Sequence, residues 1–355
     1  MTRDLTRAPD VTVVTVTYDA AHLVERCLDA LRAQQLGDTT MEVVVVDNAS
    51  HDGTADLVAS RPDVTLVRAP RNLGFAGGNN LALRQVRSRY VVLVNNDAVP
   101  EPDAVRRLVE GLDAAPRDVA AMSATVLLAA RFRAAGAADA QVVVGPDGRW
   151  VPDPDGDVRL VNSTGNELRE DGCGQDRGWL ADATRHDPPA EVFGFSGAAA
   201  ILRVAALREV GLFDERFFMY YEDTDLSWRL RLAGHRVMHC PGAVVHHEHA
   251  ASSSEGSAFF RFHDLRNRTA TLVKDASVRL VLRCVAREVL TTASLGLRRR
   301  RWDLVGTRLR AGASLVTMLP HLLRERRRIG RSCRTTRGEV ERLLVPATPG
   351  LGYRA

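Results

Sequence analysis

The sequence has few of the residues that build disulfide scaffolds, zinc sites or membrane spans. Its five cysteines are scattered and never spaced as C-x-x-C, which excludes a disulfide framework and a zinc finger. No run reaches the roughly 18 uncharged apolar residues of a spanning helix, and residues 1–10 contain no apolar signal core. We therefore expect a cytoplasmic protein that is neither exported by a signal peptide nor inserted in a membrane.

Two common nucleotide-binding motifs are also missing. There is no G-x-G-x-x-G and no P-loop, so the chain lacks the phosphate-binding loops of a Rossmann dehydrogenase and of a Walker nucleotidase. With 45% hydrophobic and 26% charged residues, a chain of 355 residues is typical of a globular protein with one or two cores. This composition excludes collagen-like and disordered chains.

The net charge of +4 conceals an asymmetry between two parts of the chain. Residues 1–254 contain 26 Lys+Arg and 36 Asp+Glu, a net −10, whereas residues 255–355 contain 22 and 8, a net +14. All 48 basic residues except Lys274 are arginine. A basic C-terminal region can be a solvated surface, a helical packing module, a nucleic-acid arm or a membrane contact, and the charge count alone does not choose among them.

The first hundred residues alternate short valine-rich runs with helical patterns. Continuous apolar runs separated by helices are typical of buried parallel strands, so the sequence predicts an α/β fold with a doubly wound, mostly parallel sheet. In such sheets ligands bind beyond the carboxyl ends of the strands. The predicted strands are 11–18, 41–48, 64–70 and 90–97, and the predicted helices are 22–35, 54–60 and 79–86.

The second half of the chain changes character twice. Residues 131–189 are rich in Gly, Asp, Pro and Asn, which predicts loops and short hairpins. Residues 193–252 contain a predicted strand at 198–203, a helix at 205–210 and a strand-like run that ends in histidines. Beyond them, helical patterns occupy 258–274, 278–297 and 302–327.

Two of the predicted strands end in carboxylates. Asp47 could cap the turn that leads to Asp52, or it could accept hydrogen bonds from a ribose or a base. Asp97, in the run Asn95-Asn96-Asp97, leaves a buried strand for a proline-bounded turn. It could be only a turn residue, or it could bind a hard divalent ion that bridges a diphosphate.

The run from Tyr220 to Asp225 begins a predicted amphipathic helix and places three acids in its first turn. Acids at a helix N-terminus suit the helix dipole, and Asp225 could pair with Arg229 at i, i+4. The two preceding tyrosines allow a second interpretation, because an apolar wall raises a carboxylate pKa and suits it to general-base catalysis.

A histidine cluster, His246-His247-Glu248-His249, ends the last strand-like run. Strand alternation places His247 and His249 on one face and His246 on the other, so at most two of them share a site. The cluster could be polar surface, or one imidazole could join Asp97 at a metal ion.

In this order, these segments resemble the family 2 glycosyltransferases of the GT-A fold, in particular the rhamnosyltransferase-like branch of actinobacterial type. The resemblance runs from about Val11 to Ala276. The matching strings are VTVVTVTYDAAHLVERCLDAL, VVVVDNASHDGTADLV, RNLGFAGGNNLAL, YVVLVNNDAVPEPD, NSTGNELREDGCGQDRG, VFGFSGAAAILR, VGLFDERFFMYYEDTDLSWRLRLAGHRV, PGAVVHHEHAASS and RNRTATLVKDAS.

The resemblance implies inverting transfer of a sugar from a nucleotide-diphosphate donor to a hydroxyl of a cell-envelope glycan or a polyprenyl-linked saccharide. It favours dTDP-rhamnose as donor, with UDP- or GDP-linked hexoses as alternatives. It also implies a divalent cofactor, Mg²⁺ or Mn²⁺, held by Asp97 and His247. Asn95 stands where the family motif has its first acid, so we expect it to contribute less than Asp97 does.

The resemblance also assigns roles to the remaining residues of the site. Asp223 is the expected general base. Ser196, Gly197 and Glu222 are expected on the acceptor side. The residues expected at the nucleotide are Thr15, Thr17, Tyr18, Asp47, Asn72, Gly74, Gly78, Asn79, Asn95 and Asn96.

The resulting prediction is a catalytic domain over 1–254, with a nucleotide-sugar half at about 11–130 and an acceptor half at 131–254, followed by a basic helical region over 255–355. Arginines interleaved with apolar residues in that region favour contact with an anionic membrane on the inner face of the plasma membrane. Packing on the acidic body is the alternative. An inactive glycosyltransferase-like scaffold and a nucleic-acid-binding protein are the competing functions, and we expect no nucleic-acid partner.

Overall fold

A computed structural model describes residues 8–140, 142–248 and 257–347. Its strands are β1 Val11–Thr17, β2 Met41–Asp47, β3 Val64–Arg68, β4 Tyr90–Val94, β5 Ala98–Pro100, β6 Val119–Leu128, β7 Phe132–Ala134, β8 Val143–Gly145, β9 Gly148–Pro152, β10 Val161–Ser163, β11 Asn166–Leu168, β12 Gly174–Asp176, β13 Ala199–Arg203 and β14 Arg236–His247. Its α-helices are α1 Ala21–Arg32, α2 Thr54–Ala59, α3 Gly74–Leu83, α4 Ala104–Ala114, α5 Val204–Val210, α6 Glu222–Leu232, α7 Ala258–Asp275, α8 Val278–Leu297, α9 Trp302–Ser332 and α10 Arg337–Glu341, with a 3₁₀ helix at Glu215–Phe217.

A nine-stranded sheet in the order β3-β2-β1-β4-β13-β6-β14-β5, with β10 beside β6, forms the centre of the fold. Strands β3, β2, β1 and β4 are parallel because helices α1 to α3 carry the chain back between them. In the other half, β13 runs antiparallel to β4 and β6, while β14 runs parallel to β6. The predicted α/β class is confirmed, and the sheet is parallel in its N-terminal half and mixed beyond it.

The valine runs of β1, β2 and β4 are largely buried because both faces of the sheet are covered there, whereas the edge strand β3 is partly exposed. In β1, Val13 points to a core built with α1 and α4, whereas Val14 points to a second core built with α3, α5 and α6. Successive side chains of a strand alternate between faces, so a strand covered on both sides is rich in apolar residues rather than alternating. Residues 131–189 form the predicted short hairpins, in the sheets β7-β9-β8 and β11-β12.

Two helices differ from the sequence prediction. Helix α3 begins at Gly74, five residues before the predicted start at residue 79. The prediction missed its first turn because that turn is rich in glycine, which has a low intrinsic helix propensity. Packing of the turn against the sheet makes it helical in the fold. A Cβ at Gly78 would lie 2.6 Å from Val16 Cγ1. Helix α6, predicted as amphipathic, is instead buried along nearly its whole length, since the sheet lies on one side and the C-terminal helices on the other.

The described C-terminal helices pack on the body of the protein. Helix α7 contacts α6 and α9, and α10 also contacts α6. A buried ion pair joins α7 to α6, because Lys274 Nζ lies 2.6 Å from Asp225 Oδ1. The inner faces of these helices therefore pack on the acidic body, which was the alternative to membrane contact in the sequence prediction. Within the described ranges, no helix combines the length and the apolar character needed to cross a bilayer.

Candidate active site

A cavity of about 290 Å³ lies where the carboxyl ends of β4 and β14 meet the start of β13 and of α6. It brings together predicted residues that are far apart in the sequence. The predicted residues in its lining are Asn95, Asp97, Ser196, Gly197, Glu222, Asp223 and His247. Other lining residues include Phe75, Asn162, Asn166, Gln175, Asp176, Tyr220, Phe260 and Asp264.

Asp97 and His247 meet at one end of the cavity. His247 Nε2 lies 3.0 Å from Asp97 Oδ1, and the two side chains are almost fully buried. The other ring nitrogen, His247 Nδ1, lies 2.6 Å from Asn162 Oδ1. An amide oxygen accepts but cannot donate, so Nδ1 is the donor to Asn162, and this contact holds the ring with Nε2 facing Asp97.

This pair has the donor chemistry of half a divalent-metal site. A carboxylate oxygen and an imidazole nitrogen suit Mn²⁺ or Mg²⁺, and the ring is oriented by a hydrogen bond as metal-binding histidines are. In the described part of the chain, no three His, Cys, Asp or Glu side chains converge to enclose an ion. An ion held by Asp97 and His247 would therefore need further ligands from outside these two side chains.

Asp223 lies in the same cavity, in the first turn of α6. Its Oδ2 accepts hydrogen bonds from Asn166 Nδ2 at 2.8 Å and from the Gly197 N–H at 3.0 Å. Its Oδ1 accepts one from the Thr224 N–H at 2.6 Å. Burial raises the pKa of Asp223, and these donors oppose the rise without cancelling it. The carboxylate is thus fixed in place and more basic than a free aspartate.

Glu222 precedes Asp223 and is more deeply buried, with 6% of its surface exposed. Burial, followed by the neighbouring Asp223 carboxylate, holds the pKa of Glu222 well above its usual range. The rise is larger for Glu222 than for Asp223, because Asp223 also accepts hydrogen bonds from Asn166, Gly197 and Thr224 that oppose it.

The two residues expected on the acceptor side of β13 use their amides within the protein. The Gly197 N–H is bound to Asp223, and the Ser196 N–H donates to Ser123 Oγ at 3.3 Å. A Cβ at Gly197 would lie 3.4 Å from Asp223 Oδ2, so glycine lets the backbone approach the carboxylate closely.

Apart from Asn95, which lines the cavity, and Asn96 beside it, the residues expected at the nucleotide lie in or next to β1, β2 and α3. Asn96 joins the two regions, since its Nδ2 donates to Thr17 Oγ1 at 3.2 Å. Asp47 is buried at the end of β2, where it accepts weak hydrogen bonds from the Ser50 N–H at 3.3 and 3.4 Å. Asn72 Oδ1 accepts from the Gly74 N–H at 2.8 Å at the start of α3.

The remaining nucleotide-side predictions occupy different environments. Tyr18 is exposed at the end of β1, whereas Thr15 is fully buried within that strand. Asn79 is buried and donates to Phe75 O of its own helix at 2.9 Å, and Gly78 packs on the sheet. Their contacts to a nucleotide stay predictions.

The histidine cluster divides as strand alternation predicts. His247 faces the cavity, while His246 Nε2 lies 3.2 Å from Glu101 Oε1 on the opposite face. His249 lies outside the described residues.

Sequence reasoning did not single out the residues that orient the site. Asn162, which fixes His247, and Asn166, which binds Asp223, occur four residues apart in the NSTGNEL segment. Phe260 and Asp264 reach the cavity from α7, in the basic region that was predicted as a separate unit. Two asparagines bracketing a Ser-Thr-Gly turn were the available signal, but their partners are far away in the sequence.

Two family models match the chain. Glycosyl transferase family 2 matches residues 12–138, and Glycosyl transferase family group 2 matches residues 184–309. The chain belongs to the family 2 glycosyltransferases. The second match extends into α9, so this glycosyltransferase resembles its family beyond the predicted catalytic domain.

Individual relatives agree with this membership. The N-acetylglucosaminyl-diphospho-decaprenol L-rhamnosyltransferase of Mycobacterium tuberculosis is 29% identical over 69% of this chain and 78% of its own length. The succinoglycan biosynthesis protein ExoO of Rhizobium meliloti is 38% identical over 32% of this chain, which spans about a third (33%) of that relative.

Solved structures confirm the GT-A fold of the glycosyltransferase. The mannosyltransferase PcManGT from Pyrobaculum calidifontis, solved with GDP-Man and Mn²⁺, superposes with a TM-score of 0.50 at 24% identity, covering 89% of this chain and 76% of the other. GalNAc-T7, solved with UDP, GalNAc and Mn²⁺, superposes with a TM-score of 0.55 at 12% identity. The superposition covers 76% of this chain and 48% of the GalNAc-T7 chain. At these identities the likeness concerns the fold alone.

Proposed function

We propose that this glycosyltransferase transfers a sugar with inversion from a nucleotide-diphosphate donor to an acceptor hydroxyl, with Asp223 as general base. The observation that carries the proposal is the placement of Asp223 in one cavity with the Asp97–His247 pair. In this proposal Asp223 takes the proton of the acceptor hydroxyl, and Asp97 and His247 in the same cavity would hold the metal ion that serves the diphosphate leaving group.

The properties of Asp223 fit the role of the base. Its carboxylate is held by Asn166 and Gly197, and burial raises its pKa above the usual value for an aspartate. As the acceptor oxygen bonds to the anomeric carbon, its proton passes to Asp223 while the bond from that carbon to the diphosphate breaks. A positioned base of this kind contributes roughly 10²- to 10⁴-fold to the rate.

Asp97 and His247 would hold the Mg²⁺ or Mn²⁺ ion, with Asn95 beside them as a neutral contributor. A divalent ion, when bound, stabilises the negative charge that develops on the diphosphate leaving group. The protein contributes the orientation: Asn162 keeps His247 Nε2 directed at Asp97, and Asn96 connects this end of the cavity to Thr17.

For the donor we propose dTDP-rhamnose first, with UDP- and GDP-linked sugars as alternatives. For the acceptor we propose a polyprenyl-diphosphate-linked saccharide of the cell envelope. Both proposals are supported by similarity to a mycobacterial protein named as a rhamnosyltransferase that acts on N-acetylglucosaminyl-diphospho-decaprenol. Purified protein should be tested against a panel of nucleotide sugars, with released nucleotide measured with and without Mn²⁺.

Two substitutions separate the base from the metal end. Asp223→Asn should abolish transfer while nucleotide affinity stays near that of the wild type, because the amide keeps the shape but cannot take a proton. Asp97→Ala should instead weaken Mn²⁺-dependent donor binding, measured by titrating Mn²⁺ against nucleotide affinity. Turnover of Asp223→Asn at the wild-type rate would refute the base assignment. A wild type that turns over no donor would favour the inactive scaffold.

We also propose that the C-terminal helical region places the enzyme on an anionic membrane. Helices α8 and α9 carry large apolar side chains on the faces opposite to their buried ones, at helical spacing. On α8 these are Val278, Leu282, Val285 and Val289, exposed by 62%, 64%, 38% and 61%. On α9 they are Trp302, Leu309, Val316 and Leu323, exposed by 64%, 63%, 62% and 46%.

The turn between α8 and α9 combines apolar and basic groups. Leu297 and Trp302 are both exposed, and the four residues between them are arginines 298–301. Tryptophan and leucine enter the interfacial layer of a bilayer, and basic residues near an anionic surface each add about 1 kcal/mol of attraction. This composition supports a lipid surface rather than an aqueous one as the neighbour of the turn.

A vesicle assay on the full chain tests the membrane proposal. The full chain is required because shortening it near Lys274 would remove helices that pack on α6 and α7. The wild type should bind vesicles of phosphatidylcholine with phosphatidylglycerol and not phosphatidylcholine alone. The double variant Leu297→Ser/Trp302→Ser should lose roughly tenfold or more of that binding. Val144→Ser, at an exposed valine on β8, is the matched control and should bind like the wild type.

Equal binding of the wild type to both vesicle types, or none to either, would refute the membrane proposal. In that case light scattering on a sizing column shows whether a second copy of the chain covers these faces instead.

A further inference from the structure

The segment from Phe217 to Tyr221, which leads directly into α6, has an unusual backbone. Phe218, Tyr220 and Tyr221 have φ angles of 66°, 70° and 67°. Residues with a Cβ are disfavoured in this region of φ, and they persist there only where their surroundings hold them. Three such residues within four positions require that other parts of the protein fix the segment.

A single side chain on α7 supplies most of that fixation. Asn267 is completely buried, and its Nδ2 lies 2.9 Å from Phe217 O, 2.7 Å from Met219 O and 2.8 Å from Tyr220 O. An amide nitrogen has two hydrogens, so the three carbonyls share them. These carbonyls point inwards because the backbone of the segment curls around the asparagine.

Arg266 on α7 and Ala76 on α3 also donate hydrogen bonds to backbone carbonyls of this segment. Arg266 donates to Phe217 O at 3.0 Å, and the Ala76 N–H of α3 donates to Phe218 O at 3.2 Å. Gly74 leaves room for that contact, since a Cβ there would lie 2.3 Å from Phe218 O. The segment is therefore held between α3 and α7.

The segment ends where the proposed base begins. Tyr221 is the N-cap of α6, and Asp223 is the second residue of that helix. Tyr220 also lines the cavity beside Asp223. A change in the path of the segment would therefore move the start of α6 and, with it, the carboxylate in the cavity.

From this geometry we infer that Asn267 is a positioning residue for Asp223: it holds the positive-φ segment before α6 and thereby sets where the base meets the acceptor hydroxyl. The inference rests on the proposed function for its effect on rate. It also makes the C-terminal region, through α7, a part of the active-site framework.

Two substitutions on the same face of α7 test the inference. Asn267→Ala removes the shared donor. Thr271→Ala, one turn later, is the matched control, because Thr271 is equally buried and its hydroxyl has no hydrogen-bond partner among the described residues. Asn267→Ala should lower kcat roughly 100-fold, the loss expected when a reacting group is displaced by about 1 Å, while nucleotide affinity and donor KM stay within about twofold. Thr271→Ala should keep the wild-type kcat.

Hydrogen–deuterium exchange gives a readout that does not depend on activity. The peptide covering residues 216–224 should exchange at least about tenfold faster in Asn267→Ala than in the wild type or in Thr271→Ala. If the wild type transfers no sugar, the proposed function fails, and the exchange measurement still decides whether Asn267 holds the segment.

Equal kcat values for the two alanine variants, or unchanged exchange in the peptide, would overturn the inference. If Asn267→Ala does not fold, Asn267→Ser replaces it, since serine keeps a single donor on a shorter side chain and cannot serve all three carbonyls. The same loss of kcat at unchanged nucleotide affinity is expected, and wild-type kcat in Asn267→Ser would overturn the inference.

Discussion

Lys274, the only lysine of the chain, is a sensitive point at which to test how the C-terminal helices are joined to the catalytic body. It is 1% exposed, and its Nζ lies 2.6 Å from Asp225 Oδ1 on α6 and 2.9 Å from Asp214 Oδ2 before the 3₁₀ helix. Both carboxylates have a second partner: Arg229 Nε lies 2.9 Å from Asp225, and His321 Nε2 lies 2.9 Å from Asp214.

The substitution Lys274→Met keeps the length of the side chain and removes its charge. Removing one partner of a buried ion pair costs about 3–5 kcal/mol, because the other charge stays buried without compensation. Arg229 and His321 still face the two carboxylates, so we expect the lower end, about 3 kcal/mol. Since a domain is stable by only about 5–15 kcal/mol, this loss is large. For a chain of 355 residues it corresponds to a fall in Tm of roughly 4 °C.

The effect should be constant across neutral pH. Burial lowers the pKa of Lys274, but the Asp225 carboxylate raises it further, so that it lies above the unfolded value. Its contribution is thus present below the unfolded pKa of lysine and is lost only as the pH rises through the folded pKa. For Asp214, burial is outweighed by Lys274, which lowers the carboxyl pKa, so that contribution is lost only in acid. Between about pH 5 and 9 the Lys274–Asp214 pair contributes fully.

Thermal and urea denaturation of the full chain measure this prediction. Arg327→Met is the control, because it removes a charge from an exposed position of α9 and should change stability by less than about 0.5 kcal/mol. As Lys274 is the sole lysine, a lysine-directed reagent also reports its burial independently. It should modify Lys274 in unfolded protein and not in native protein.

A Tm for Lys274→Met within about 1 °C of that of the control would refute the reasoning, since a buried charge cannot be removed at so small a cost. Rapid modification of Lys274 in the native wild type would refute the packing of α7 on α6.

Two further predictions concern the cavity and its surroundings. Gly74→Ala should destabilise the protein by about 2 kcal/mol or more and reduce kcat, because Gly74 has a φ of 70° and a Cβ there would lie 2.3 Å from Phe218 O. On α9, a Cβ added at Gly306 would meet no atom of the described residues within 4 Å, so Gly306→Ala should raise the free energy of unfolding by about 0.5–1 kcal/mol. Equal effects of Gly74→Ala and Gly306→Ala on denaturation would contradict this prediction. Asn162→Ala should weaken Mn²⁺ affinity in the presence of nucleotide about 10- to 100-fold by releasing His247, as measured by calorimetric titration, and unchanged affinity would contradict that role.

The parts of the fold that repeat locally were predictable from the sequence. Valine runs predicted β1 to β4 within a few residues, since a strand covered on both faces is rich in apolar residues rather than alternating. Helix α3 was predicted too short because glycine lowers local helix propensity, whereas its packing on β1 depends on glycine. Helix α6 was expected to be half exposed, because nothing in its own sequence shows that α7 covers its second face.

Some residues of the candidate site were likewise predictable from the sequence, and others were not. Asp97, Asp223 and His247 were identifiable because each follows a strand or begins a helix, where polar groups stand out from an apolar pattern. The asparagines that orient them, Asn162 and Asn166, carry no such local contrast. Their function depends on partners 85 and 57 residues away, which only the folded chain brings within hydrogen-bond distance.

The sequence by itself determined the α/β class and the family, and it singled out the acids that we propose for the chemistry. Only the tertiary structure decided how the C-terminal region contributes, because net charge reports composition and not contacts. Its +14 suggested a separate basic tail. In the fold, Lys274 and Asn267 point inwards, to the helix and the strained segment that carry Asp223, while the arginines 298–300 lie on the outer surface.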